Sequence, residues 1–212
     1  MITTKYIDKL KDLNRAVHSE YMFGVDAYTT IFSDLIEEQK YVEVANIHEI
    51  MALNFLNTYS LNNFKDVIGD SFYINSRSLN ISCLYHYAFG DKNYAENLAK
   101  MNYAKHYKYY MEVINPDSAI DKKYKDDFYV AHDLELLGDI CIFFNKKLSE
   151  KHYKQAIQLY ETSTVADAEW ALDINLVHYD EALKICFDFD GNLINTMPNR
   201  IAKKKKLYEI IK

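Results

Sequence analysis

One short motif recurs four times in this sequence and restricts the architectures that the chain can adopt. A tyrosine is followed three or four residues later by a small or aliphatic residue, in segments that we predict to be the second helix of a helical hairpin. The copies pair Tyr41 with Ala45, Tyr94 with Leu98, Tyr153 with Ala156, and Tyr179 with Ala182. This spacing puts a bulky ring and a small gap on one helix face, as close packing of stacked hairpins requires. The motif predicts an architecture and no chemistry.

The scarcity of turn residues supports the same conclusion. The 212 residues include five glycines and two prolines, fewer than a sandwich or barrel with many tight turns would need. A hydrophobic content of 49% is enough for one sizeable core. We therefore predict a single all-α domain over residues 1–212, an irregular stack of antiparallel helical hairpins with a repeat-like core at about 26–186. Residues 187–212 are expected to form a C-terminal turn and a short helix, with a short β-hairpin near 185–196.

Apolar periodicity and helix breakers place the individual helices. A first amphipathic helix carries one apolar stripe made of Tyr6, Leu10, Leu13 and Val17. Further helices are predicted over about 26–38, 41–59, 72–89, 94–114, 128–144 and 165–185, with connectors at 61–70 and 117–127. Another helix is predicted to follow Ser149 and to hold Tyr153, Ala156, Ile157 and Tyr160. The residues expected to mark helix ends are Gly90 with Asp91, Asn115 with Pro116, Ser149 as a cap, and Thr164 with Asp167 as a capping box.

The stretch from Leu134 to Tyr160 carries a family resemblance. Leu134, Leu137 and Gly138 are followed by Tyr153, Ala156 and Tyr160, and this order resembles the tetratricopeptide pattern. Pro116 likewise resembles the closing proline of that pattern. The tyrosines are 53, 59 and 26 residues apart, whereas that family repeats every ~34 residues. The resemblance covers about residues 30–186 and implies a right-handed helical stack whose concave surface binds another molecule. The irregular repeat is also similar to helical immunity proteins of bacterial polymorphic toxin systems.

Charge and cysteine placement bear on compartment and partners. A net charge of −6 disfavours a protein that binds a nucleic-acid backbone. The four lysines at 203–206 are assigned to the end of a C-terminal helix, where they would complement the helix dipole. Cys83, Cys141 and Cys186 lie far apart in apolar stretches, which predicts buried thiols in a reducing compartment. With no signal peptide and no apolar run of membrane-spanning length, we expect a cytoplasmic protein without a nucleic-acid or membrane partner.

A motif near the C-terminus resembles the nucleophile loop of haloacid-dehalogenase-like phosphatases. In that loop, Asp188 would attack phosphorus and Asp190 would act as a general acid. Asn192 stands where the family has threonine, and 22 residues after Asp190 are too few for the rest of such a domain. We therefore predict a turn at residues 190–192.

A second motif resembles the HD phosphohydrolases. His132 and Asp133 form the adjacent pair, His106 lies upstream, and Asp173 or Asp188 would complete the metal site. The residues after the pair depart from the family, and helix capping or solvation explains both side chains equally well. An HD-type metal-dependent phosphohydrolase therefore stays as the alternative function, and the leading interpretation includes no cofactor and no metal.

An acidic region offers a surface for a partner. Residues 161–190 contain eight acids and one base, Lys184, which gives a local net charge of −7. On one helix, Glu169, Asp173 and Asp180 would fall within an arc of about 40°, beside an apolar face. This ridge is either a solvated face or a docking strip for a basic partner.

The predicted function is a non-enzymatic protein-binding module. Within that class we favour an immunity protein that neutralises a cognate bacterial toxin by occluding its active surface. The expected partner contacts are Glu169, Asp173, Asp180 and Glu181, with Trp170 as an anchor. A peptide-binding helical-repeat scaffold is a further alternative.

Overall fold

Helices account for nearly all of the chain that can be described. The computed structural model describes residues 31–58, 69–114, 127–162, 174–189, 201 and 204–211. Residues 31–37 are helical, and the helices that follow are α1 (Tyr41–Thr58), α2 (Gly69–Phe89), α3 (Lys92–Tyr109), α4 (Asp127–Cys141), α5 (Lys146–Thr162), α6 (Ile174–Phe187) and α7 (Leu207–Ile210). A π-helical turn, Tyr110–Ile114, continues α3. These ranges contain no strand, which confirms the predicted all-α class.

Several predicted features lie outside the described residues. They are the first amphipathic helix, most of both connectors, Asn115 with Pro116, the capping box at Thr164 and Asp167, and the turn at 190–192. The β-hairpin expected near 185–196 is wrong for residues 185–187, which are helical in α6. That helix ends at Phe187. The next residue, Asp188, has a left-handed φ of 52°, and Phe189 donates its N–H to Leu183 O at 3.4 Å. This pattern is typical of a helix C-terminus.

Two helices form the centre of the bundle. Helix α2 packs against α1, α3, α4 and α6, and every residue from 76 to 87 is buried. Helix α4 packs against α5, α3 and α2, and every residue from 130 to 143 is buried. A helix enclosed on all sides cannot expose its polar residues to water, so each of them requires a partner inside the protein.

Local capping explains where two outer helices begin. The carboxylate of Asp91 accepts from the N–H groups of Asn93 at 2.8 Å and Tyr94 at 3.3 Å, so it caps α3. Asn145 caps α5 in the same way, because its side chain accepts from Leu148 N at 3.1 Å. The prediction that Ser149 caps this helix is therefore wrong. Ser149 is buried one turn further along and donates to Gly138 O at 2.7 Å.

The repeated tyrosine motif serves the packing in most of its copies. Tyr153 and Tyr179 are buried together with the small residues that follow them, Ala156 and Ala182. Tyr94 departs from the pattern, since it is 43% exposed and donates its hydroxyl hydrogen to Glu49 on α1.

The two helices of the α4–α5 hairpin approach each other closely at Gly138. A Cβ atom added to Gly138 would lie 2.4 Å from the Tyr153 ring, so only glycine fits between the two helices.

The C-terminal residues return to this hairpin. Ile201, Lys204, Leu207 and Ile211 are buried at 0–2% exposure, whereas Lys205 and Lys206 are exposed. Residues 201 and 204 are helical, Lys205 N donates to Ile201 O at 3.1 Å, and Lys205 and Lys206 form the turn before α7. The described lysines thus lie at the end of a helical turn, although Lys204 is buried in the core. No helix in the described ranges has the length and apolar character needed to cross a bilayer.

Candidate functional site

Four charged side chains meet in the middle of the protein. Arg77 comes from α2, Glu135 and Asp139 lie one turn apart on α4, and Lys204 comes from the C-terminal segment. Each is 0% exposed, and two positive groups balance two negative ones. We refer to these four residues as the buried charge cluster.

Asp139 joins the two cations. Its Oδ2 atom accepts from Arg77 Nη1 and also from Lys204 Nζ, the latter at 2.7 Å. Lys204 Nζ donates in addition to Glu135 Oε1 at 2.5 Å. Charge-assisted hydrogen bonds of this kind are stronger than neutral ones, and they join α2, α4 and the C-terminal segment.

Four tyrosines complete the cluster. Tyr153 donates to Asp139 Oδ1 at 2.5 Å and Tyr160 donates to Glu135 Oε2 at 2.8 Å. As a result, all four carboxylate oxygens accept hydrogen bonds. Tyr73 accepts from Arg77 Nη2 at 2.9 Å. The Tyr179 ring lies 4.7 Å from the guanidinium carbon of Arg77 and 5.2 Å from Lys204 Nζ, within the range of cation–π attraction.

The electrostatics of the cluster keep its phenols neutral and its guanidinium charged. Burial raises the pKa of Tyr153 and Tyr179 well above the ordinary value, and the nearby Asp139 carboxylate raises both further. Burial alone would lower the pKa of Arg77, but Tyr73 and Asp139 outweigh it, so that pKa lies above its usual value. Tyr153 therefore remains a hydrogen-bond donor to Asp139, and Arg77 remains a cation.

The sequence contained a signal for half of this cluster. Glu135 and Asp139 are spaced i, i+4 within the otherwise apolar stretch from Leu134 to Cys141, which indicates two acids on one buried face. Arg77 is one of three arginines in the chain, but nothing local singles out its buried role. Lys204 stands inside a run of four lysines, and no local pattern separates it from its neighbours.

The residues proposed for metal binding are brought together only in part. His106 Nε2 lies 2.9 Å from Asp133 Oδ1, and both side chains are buried. The His132 ring instead stacks on Tyr73, with ring centroids 4.1 Å apart. Within the part of the chain that the structure describes, no set of three or more His, Cys, Asp or Glu side chains is placed to hold a metal ion.

Two other buried histidines have protein partners. His48 lies 2.8 Å from Ser78 Oγ and stacks on Phe32, and burial with the nearby His178 lowers its pKa to about 3. His152 lies 3.1 Å from the Tyr103 hydroxyl, and burial is the main reason that its pKa falls to about 4. Both rings are therefore neutral at neutral pH.

The cysteines carry no sign of reactivity. Cys83 and Cys141 are buried, and Cys186 is partly buried. Burial raises the pKa of all three thiols, which disfavours the nucleophilic thiolate.

Of the predicted partner contacts, two can be located. Glu181 is exposed on α6, its side chain is 47% accessible, and it lies 3.7 Å from His178. Asp180 is partly buried on the same helix, and Lys184 is exposed one turn beyond it. The other three contacts, Glu169, Trp170 and Asp173, lie outside the described residues.

Comparison of the chain with protein-family models, with curated proteins and with solved structures finds no match. The similarity to tetratricopeptide repeats and to immunity proteins therefore rests on the sequence pattern. Within that pattern, Gly138 and Tyr153 do meet at the α4–α5 contact.

Proposed function

We propose that the chain is a non-enzymatic protein-binding module, and within that class a bacterial immunity protein that neutralises a cognate toxin in the cytoplasm. The proposal combines the acidic region around α6, the irregular helical repeat and the resemblance to helical immunity proteins. It is a proposal about binding, and the fold alone does not imply it.

The observation that carries this proposal is that the buried charge cluster is inaccessible to a substrate. A catalytic site needs acids and bases that a substrate can reach. In this cluster, Arg77, Glu135, Asp139 and Lys204 are all inaccessible, and the four carboxylate oxygens are bonded to protein donors. This set of ionisable groups thus holds helices together, which favours a role at the outer surface.

The proposed mechanism is occlusion of a basic toxin surface. Glu181 is exposed, and Asp180 lies beside it with partial exposure. Glu169 and Asp173 would extend this strip, and Trp170 would supply an apolar anchor at its centre. Complementary charge speeds the encounter with lysines and arginines of the toxin, and the bound chain then blocks substrate entry.

Co-expression with the toxin tests this function. We expect the gene immediately upstream to encode a large secreted protein with a variable C-terminal toxin domain. Expression of that domain should arrest growth, and co-expression of this chain should restore it. Growth arrest that this chain does not relieve would contradict the proposal.

Charge reversal tests the binding strip. The variant with Glu169, Asp173, Asp180 and Glu181 each changed to Lys should bind the toxin domain at least ~100-fold more weakly by calorimetry, with unchanged thermal stability. The matched control is Glu150→Lys, an exposed acid on α5, which should bind normally. Equal affinity of both variants would remove the strip from the interface.

An HD-type metal-dependent phosphohydrolase is the second candidate. The contact between His106 and Asp133 favours it, because two of the four expected ligands lie together. Elemental analysis of the purified protein decides between the candidates. A stoichiometric transition metal that is lost in His132→Ala would support the hydrolase, and a protein free of metal would not.

A further inference from the structure

The C-terminal segment crosses the α4–α5 hairpin with one buried face. Ile201, Lys204, Leu207 and Ile211 face the core, at intervals of three or four residues. Helix α7 has four residues, far fewer than the ~12 that an isolated helix needs in water. Its helical state therefore depends on contact with the rest of the protein. We call residue 201 together with residues 204–211 the strap.

Polar contacts to α5 add to the apolar burial of the strap. Lys146 Nζ on α5 donates to the Tyr208 carbonyl, and the Tyr208 hydroxyl donates to Ser149 Oγ at 2.9 Å. The backbone bonds Tyr208 N to Lys205 O and Ile211 N to Leu207 O stay within the strap. The strap is therefore a small unit that adheres to α4 and α5 through side chains.

Among the described residues of the strap, Lys204 carries the charge that enters the core. Its ammonium group bonds to both Glu135 and Asp139, and with Arg77 it makes the cluster neutral. If the strap leaves, Asp139 keeps its bonds to Arg77 and Tyr153, which come from α2 and α5. The contacts among α2, α4 and α5 thus do not depend on the strap.

From these contacts we propose that the strap is locked by charge. It docks because Lys204 balances the carboxylates of Glu135 and Asp139, and it detaches as one unit while α1–α6 stay folded. The proposal does not depend on the function proposed above. It predicts that the charge balance at position 204, and not the lysine itself, controls docking.

Hydrogen–deuterium exchange of the full-length protein tests the lock. Lys204→Met removes the cation and keeps most of the apolar stem. We expect the amides of residues 207–211 to exchange at least ~10-fold faster, with no change in α2. The double variant Glu135→Gln with Lys204→Met removes one charge of each sign. It should bring exchange back to within ~3-fold of the unmodified protein.

Neighbouring lysines supply matched controls. Lys205→Met and Lys206→Met make the same chemical change at exposed positions and should leave strap exchange unaltered. Unchanged strap protection in Lys204→Met would overturn the proposal, as would equal loss of protection in the strap and α2. Failure of the double variant to recover would also overturn it.

The double variant keeps the test decisive if Lys204→Met does not fold. A folded double variant with a protected strap would support the charge lock, because its core is again neutral. A double variant that also fails to fold would show that lysine is required for itself, and the proposal would be wrong.

Discussion

Gly138 is the residue where a single added methyl group should do most harm. Its neighbour across the helix contact is the buried ring of Tyr153, which packs against α4 and is also held by the bond to Asp139. In Gly138→Ala the new Cβ would overlap that ring, and overpacking of this kind costs about 2–3 kcal/mol. Urea unfolding measures the change. Gly90→Ala is the control, because its Cβ would meet His86 Nδ1 at 3.1 Å and should cost less than ~1 kcal/mol.

His48 should make the protein sensitive to acid. Burial lowers its pKa to about 3 in the folded protein, whereas in the unfolded chain it is near the ordinary value of about 6.5. Between these values the unfolded state binds the extra proton, so stability is full above about pH 6.5 and falls as pH decreases. Because of this proton uptake, the free energy of unfolding should fall by about 2 kcal/mol between about pH 7.5 and about pH 5.

His48→Gln tests this contribution because glutamine does not titrate. The variant should lose about 2 kcal/mol less than the unmodified protein over the same pH range, measured by urea unfolding at each pH. It should still lose some stability, since the pKa of His152 is also lowered, to about 4. Parallel pH profiles for the two proteins would contradict the assignment to His48.

At the scale of helices, the sequence predicted type and position well and some ends poorly. Helix α2 is predicted over 72–89 and spans Gly69–Phe89, because a long stretch without glycine or proline and the Gly90–Asp91 breaker are local signals. The start of α5 was missed because Ser149 and Asn145 are both good caps. A tertiary contact decided between them, since Ser149 donates to Gly138 O on α4.

The bond from Tyr153 to Asp139 should contribute measurably to the α4–α5 contact. Tyr153→Phe keeps the ring against Gly138 and removes only the hydroxyl donor. A hydrogen bond to a charged group contributes about 1.5–3 kcal/mol, so we expect a loss in that range by urea unfolding. Tyr107→Phe on α3 is the control, because Tyr107 is 39% exposed and should change stability by less than ~0.5 kcal/mol. Equal effects of the two variants would argue against a special role for the buried bond.

For the whole molecule, the fold class could be predicted from local patterns and the buried charge cluster could not. Its ion pairs join residues 62 to 69 positions apart, from Arg77 to Asp139 and from Lys204 to Glu135. Hydrophobic periodicity reports which face of a helix is buried, but it does not report which distant segment covers that face. The same holds for the partner of the proposed strip, because a pattern of surface charge does not identify the molecule that binds to it.

Removal of Arg77 should destabilise the whole bundle. Arg77→Met removes the cation that joins α2 to α4 inside the bundle, a bond that is kept when the strap leaves, and breaking a buried pair of this kind costs about 3–5 kcal/mol. Arg77→Lys keeps the charge, but a single ammonium group cannot reproduce the forked contacts to Asp139 and Tyr73, so an intermediate loss is expected. By thermal and urea unfolding, the unmodified protein should be the most stable, Arg77→Lys intermediate and Arg77→Met the least stable. An Arg77→Met variant more stable than the unmodified protein would refute this expectation.

The exposed and buried lysines of the strap also have a consequence for alignment along the chain. Charge cannot choose which lysine enters the core, because Lys204 and Lys205 carry the same group. A slip of one residue would turn the segment by about 100° and carry Leu207 and Ile211 away from their sites. The correct register is therefore set by the apolar residues on either side. Removing or adding one lysine in the run should misalign the segment, even though its total charge would change by only one unit.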